Sequence, residues 1–144
     1  MAVNLISVSG ILCERILEES GPIYSAIRIV DIFGVSGGQS DVVQFTGLVF
    51  MKAMPTEEKF RVGVVLEDPD GKKQQLPDPP DNPFSFPVYE GDPTIPVGFA
   101  LVLQIRIQGS KTGTFYVEVS VDGTSRIRLP FTIRLLPVAQ QNAQ

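Results

Sequence analysis

The chain is written in a period of two. In "TFYVEVSVDGTSRIRLPFTIRLL", Phe115, Val117, Val119 and Val121 fall on one side, with Tyr116, Glu118 and Ser120 on the other. Beyond Asp122-Gly123, Ile127, Leu129, Phe131, Ile133 and Leu135 share one face, opposite Arg126, Arg128, Thr132 and Arg134. Successive strand side chains point to opposite faces, so each half reads as a strand with one face in a core and one in water. A helix cannot satisfy this pattern, because its apolar positions recur every three or four residues.

The turn between the halves is constrained by the same pleat. Asp-Gly favours a two-residue loop, but that register sets Val119 opposite Arg126, apolar against charged on one face. A loop of three residues restores the match and is the expectation. It pairs Phe115 with Phe131, Val117 with Leu129, and Glu118 with Arg128 in water (or Glu118 with Arg126 if the loop starts at Val121).

Further runs behave alike. "GFALVLQIRIQ" sets Phe99, Leu101, Leu103, Ile105 and Ile107 on one face, and "FRVGVVLED" does so with Phe60, Val62, Val64 and Leu66. The latter ends in Asp68-Pro69-Asp70-Gly71, a tight-turn sequence. "DVVQFTGLVFMKAM" is apolar on both faces, which predicts either a central strand or the edge of an interface. Residues 4–17 and 23–34 form an opening pair across Glu-Glu-Ser-Gly-Pro, a loop signal. Residues 77–97 hold seven of the twelve prolines and read as a long loop or bulged edge. Seven or eight short strands with no credible long helix predict an all-β fold, an antiparallel β-sandwich of immunoglobulin-like or C2-like type. It is expected as a single domain over residues 1–137, with a polar flexible tail at 138–144. At 144 residues the chain is long enough to bury a core without staples.

Composition removes several classes of chemistry. There is no histidine and one cysteine, which excludes Ser-His and Cys-His nucleophiles and imidazole or thiolate zinc sites. No apolar run reaches membrane-spanning length, and no basic segment precedes the apolar start, so neither a membrane span nor a signal peptide is expected. The lone cysteine fits a reducing compartment, and a cytoplasmic location is expected. Residues 55–97 carry nine acidic and four basic side chains, and residues 98–144 five basic and two acidic. Neither segment reaches the charge density of a nucleic-acid surface. Gly37-Gly38 lacks the lysine and helix of a phosphate loop, so nucleotide binding is not expected.

At "ILCERILEESGPIYSAIRIVDIF" the sequence resembles an uncharacterised bacterial family, a domain of unknown function. Its members open with a Leu-Cys-Glu stretch, a short acidic turn and a Ser-x-Ile-Arg-Ile-Val-Asp-like strand. Here these are Leu12-Cys13-Glu14, Glu18 to Gly21, and Ser25 to Asp31. "VVLEDPDGKK" also resembles the family's strand-to-turn segment. The resemblance covers the first half well and the rest loosely. It implies a fold and a bacterial or bacteriophage setting, and it transfers no catalytic residue.

Each candidate residue has a structural reading beside the chemical one. Cys13, with Arg15 two residues along, has the elements of an activated thiol, but free cysteine is among the most buried residue types, and packing is the expectation. Arg28 and Asp31 interrupt an apolar strand on opposite faces; a cross-strand ion pair with Glu14 or Arg15 is expected for one of them. Asp68, Asp70, Asp78 and Asp81, with Asp92, lie in connecting segments and are candidate calcium ligands, although turns select aspartate on their own account. Phe84, Phe86 and Tyr89 are either partner-binding aromatics or core plugs. Arg126, Arg128 and Arg134 form a basic stripe, open to an anionic partner or simply solvated. Paired carboxylates such as Glu14 and Asp31 are the one remaining hydrolytic possibility, without a motif.

No enzyme and no cofactor are therefore expected. The leading expectation is a non-enzymatic protein-interaction or assembly module, acting by self-association or on a protein partner through a strand edge or the proline-rich loop. The alternative is a calcium-dependent binding domain using the acidic loops.

Overall fold

The computed structural model describes residues 5–19, 23–37, 41–80, 82–109 and 111–136. The chain is all-β: eleven strands and no helix occur among these residues. They are β1 (Leu5–Glu19), β2 (Ile23–Ile29), β3 (Ile32–Val35), β4 (Val42–Ala53), β5 (Thr56–Phe60), β6 (Val62–Glu67), β7 (Lys73–Gln75), β8 (Phe84–Phe86), β9 (Val97–Gln108), β10 (Gly113–Val121) and β11 (Thr124–Leu135). One sheet has the order β2-β1-β4-β9, a second β3-β11-β10-β6-β7, and β5 pairs with β8 apart from both. The expected tail at 138–144 lies outside the described residues.

The strand count exceeds the expected seven or eight for identifiable reasons. The run read as residues 23–34 divides at Val30-Asp31, where the chain leaves one sheet for the other. There Val30 donates to the Leu12 carbonyl at 3.0 Å, while the Asp31 carbonyl accepts from Thr132 N–H at 2.8 Å. β3 then lies parallel to β11, with Ile32 opposite Thr132, against the expectation of antiparallel pairing throughout. The run around Phe60 divides at Arg61, whose backbone bonds to Asp122 instead of a strand partner. Two three-residue strands, β7 and β8, arise in segments read as turn and loop.

The four- and five-stranded sheets share one core. Phe45, Val49 and Met51 of β4 and Leu101 and Ile105 of β9 are buried in one cluster with Val64, Val117, Phe131 and Ile133 of the opposing sheet. Phe131 stacks on Phe115 at 5.2 Å and meets Phe45 edge-on at 4.8 Å. A second aromatic group sits towards the other end of β4, where Phe60 stacks on Phe86 at 4.8 Å and Phe84 packs on Phe99 at 4.6 Å. Offset-stacked and edge-on pairs suit the ring quadrupoles and add specificity to the area buried.

β4, apolar on both faces, is the central strand of its sheet, between β1 and β9. Its two-sided pattern has a cause on each side. The odd-numbered residues face the shared core. On the opposite face Thr46 and Leu48 are also buried, as is Cys13, which pairs with Thr46. Tyr24 of β2 borders one groove with Ser7, Phe50 and Lys52 on that side, although it pairs with Glu18. A straight β1 would separate Ser7 from Glu18 by roughly 36 Å. β1 therefore folds back, and the β1–β2 hairpin shelters the outer face.

The β10–β11 pair realises the expected register by a different route. Phe115 lies opposite Phe131, Val117 opposite Leu129 and Glu118 opposite Arg128. The turn, however, contains only Asp122 and Gly123, at φ 49° and 81°, the left-handed geometry of a two-residue hairpin loop. Val119 pairs with Ile127 and Ser120 with Ser125, so the extra residue is Arg126, accommodated as a β-bulge. The three-residue loop is thus corrected: the pleat demanded one added residue, and the strand holds it.

Candidate functional site

The acidic segments resolve into separate turns. Asp68 Oδ1 accepts the backbone N–H groups of Asp70 and Lys72, each at 2.9 Å, and Gly71 N–H closes the turn on the Asp68 carbonyl. Lys111 bridges the pair, its Nζ lying 2.9 Å from Asp68 and in contact with Asp70. The hydrogen bond from Lys111, the largest cause, holds the Asp68 carboxyl below its ordinary range, and the two carboxylates raise Lys111. Asp78 pairs with Arg61 at 3.4 Å instead of joining that turn. Asp92 accepts the hydroxyl and N–H of Thr94, which lower its pKa. Asp81 lies outside the described residues. Among those described, no three Cys, Asp or Glu side chains converge as a metal site.

Cys13 is fully buried, and desolvation raises its pKa. Its Sγ lies 3.5 Å from the Arg15 carbonyl and 3.6 Å from that of Thr46. The thiol is packed, as expected. Arg28 pairs with Glu14 at 3.4 Å, directly across the β1–β2 ladder. Both are well exposed, so the pair contributes little.

The three aromatics of the proline-rich segment divide. Phe84 and Phe86 point into the core as β8 and are 8% and 1% exposed, so neither is available to a partner. Pairing of β8 with β5 fixes this, since alternate residues of a strand share a face. Tyr89 is 54% exposed and, with Val88, Ile95, Pro96 and Val97, lines an open apolar groove of about 370 Å³.

The arginine stripe is also uneven. Arg128 is committed: it contacts Glu67, lies 3.6 Å from Glu118 and stacks over Tyr116 at 4.1 Å from the ring centroid. The bulge removes Arg126 from the regular alternation. Arg134 is exposed beside β3. A continuous basic surface does not form from these three.

The strongest feature for binding is the edge strand β9, which sequence reading identified as a strand without marking its edge. Val97 to Gln108 pairs with β4 over twelve consecutive positions without a register shift. Gly109 N–H extends this ladder to the Asp41 carbonyl at 2.9 Å. In an antiparallel ladder the backbone groups of alternate residues point to alternate sides. The odd-numbered residues therefore bond to β4, while Gly98, Ala100, Val102, Gln104, Arg106 and Gln108 direct N–H and C=O away from it. No described strand pairs with that side. Across a groove of about 350 Å³ from Val102–Ile105 stands the segment Pro77–Pro80.

No known family model matches the chain, and no curated protein matches it. No helix among the described residues is long and apolar enough to cross a membrane.

Proposed function

We propose that the protein is a non-enzymatic interaction or assembly module of a bacterial or phage system, working in the cytoplasm. Its two facing sheets are read as a β-sandwich of immunoglobulin-like or C2-like type. The observation that carries the proposal is β9: a twelve-residue, bulge-free edge whose outward backbone donors and acceptors stand ready for another strand. The adjoining grooves at Pro77–Pro80 and at Tyr89 supply apolar walls of the kind that accept alternate side chains of an added strand. The absence of histidine from the sequence and the engagement of Asp68, Asp70 and Asp78 by cations support a role in binding over one in catalysis.

The test is capture of tagged protein from its host, with mass spectrometry of what is retained and light scattering of the complex. A stoichiometric protein companion, or a defined homo-oligomer, is the expected outcome. A monomer that retains nothing counts against the module reading.

A further inference from the structure

We infer that the occupant of the β9 edge is a second copy of this chain, paired antiparallel about a two-fold axis through Leu103. The inference rests on the reading of the protein as an interaction or assembly module, and it names the surface, the partner and the register.

The first argument is which edges are guarded. Soluble proteins protect sheet edges with short strands, charges, prolines or irregular backbone. Three edges of the two large sheets follow that rule. β7 is three residues long and begins with Lys73; β3 has four residues. β2 is interrupted by Arg28, whose φ of +54° breaks the extended backbone. β9 alone among the four is long and regular, contains no proline, and carries one charge, Arg106. Its nearest cover is the segment Pro77–Pro80, which stands across a groove of about 350 Å³ from Val102–Ile105 and forms no strand pair with it. Its outward-directed residues Val102, Gln104, Arg106 and Gln108 are exposed, and Val102 is 39% so.

The second argument is self-complementarity. A two-fold axis through Leu103 sets Gly98 opposite Gln108, Ala100 opposite Arg106, and Val102 opposite Gln104 of the other copy. These are the six residues whose backbone faces the edge, so every outward N–H and C=O finds a partner. On the core face Leu101 meets Ile105, Phe99 meets Ile107, and Leu103 meets its own copy. The pleat is conserved: apolar meets apolar on the core face, Ala100 and Val102 meet Arg106 and Gln104 on the solvent face, and Arg106 never faces a like charge. Such an isologous contact closes as a dimer instead of extending indefinitely.

The third argument is magnitude. Six residues per copy, each offering a donor and an acceptor, give about a dozen backbone hydrogen bonds, near the ten or so of a typical protein–protein interface. The result is one eight-stranded sheet with the two β9 strands at its centre.

The test is sedimentation velocity across a concentration series on the wild-type chain, Val102→Pro and Val102→Lys, with circular dichroism confirming the fold of each. Val102 donates to no β4 bond, so proline there removes an outward donor from each copy while sparing the existing ladder. Lysine leaves the backbone intact and sets two like charges diagonally across the axis. The expected result is a wild-type dimer whose dissociation constant rises roughly tenfold or more in both variants. A dimer indifferent to Val102→Lys overturns the β9 surface but leaves the assembly reading standing. A wild-type monomer at every concentration overturns the second copy. If that monomer still retains a stoichiometric host protein, the module reading survives the failure; if it retains nothing, both readings fall.

Discussion

Asp122 and Arg61 clasp each other by the backbone. The Arg61 N–H donates to Asp122 Oδ1 at 2.9 Å, and the Asp122 N–H donates to the Arg61 carbonyl at 2.9 Å. The clasp ties the β10–β11 turn to the break between β5 and β6. Asp122 adopts φ 49°, where aspartate and glycine are tolerated far better than alanine. Asp122→Gly is expected to cost about 1 kcal/mol, the value of one hydrogen bond. Asp122→Ala should cost about 1 kcal/mol more, from the left-handed backbone. Urea unfolding midpoints of the two variants decide whether the order holds.

Phe86 and Tyr89 come from the same proline-rich segment but have opposite environments. Phe86→Ala is expected to lose about 3–5 kcal/mol, because it leaves a cavity beside Phe60. Tyr89→Ala should stay within about 0.5 kcal/mol of wild type, as exposed substitutions do. Equal losses in chemical denaturation would remove the division between core plug and surface aromatic.

Cys13 should be silent to a thiol reagent in the folded protein and react fully after unfolding, because the thiolate is the reactive form and burial disfavours it. Its folded pKa lies above the ordinary 9.0. The sign follows: the contribution to stability is complete below that value and declines as pH rises through the folded pKa. Thermal melts should therefore show a wild-type loss between neutral and strongly alkaline pH that is smaller in Cys13→Ala.

Lys111→Met removes the bridge between Asp68 and Asp70. Asp68 is held below 3.8 and Lys111 above 10.5. The carboxylate contribution is present above 3.8 and lost as pH falls through the folded value; the ammonium contribution is present below 10.5 and lost above its folded value. Melting temperatures of wild type and variant should differ most between these limits, converge in acid, and converge at neutral pH in high salt. A difference constant across pH and salt would assign the effect to packing instead.

Much of the architecture was legible because pleat parity is local. Alternation in β9, β10 and β11 set their faces, and the clash of Val119 with Arg126 foretold an extra residue between the paired strands. The two-sided apolar pattern of β4 narrowed it to a central strand or the edge of an interface, and the sheet order makes it central. For the candidate site, the strand containing Val102 and Gln104 could be read, whereas Tyr89 could not be told apart from Phe84 and Phe86 as a surface aromatic or a core plug. Phe84 and Phe86 were ambiguous, since alternation over three residues cannot say which face is the core.

Position in a sheet is a property of distant chain segments, and there the sequence alone stops. Nothing local at Asp31 announces a crossing to β11, because the bond that holds it comes from Thr132. Asp122-Gly123 and Arg126 are equally able to absorb one residue; the closed turn and its clasp on Arg61 left that task to the bulge. The burial of Cys13, Thr46 and Leu48 on the outer face depends on β1 folding back. Likewise, the alternation of β9 dictates where its side chains point, but only the sheet order shows that, among the described residues, no strand pairs with its even-numbered amides. Side-chain direction follows from the covalent backbone one residue at a time, whereas a strand's neighbours are chosen by hydrogen bonds between segments far apart in sequence.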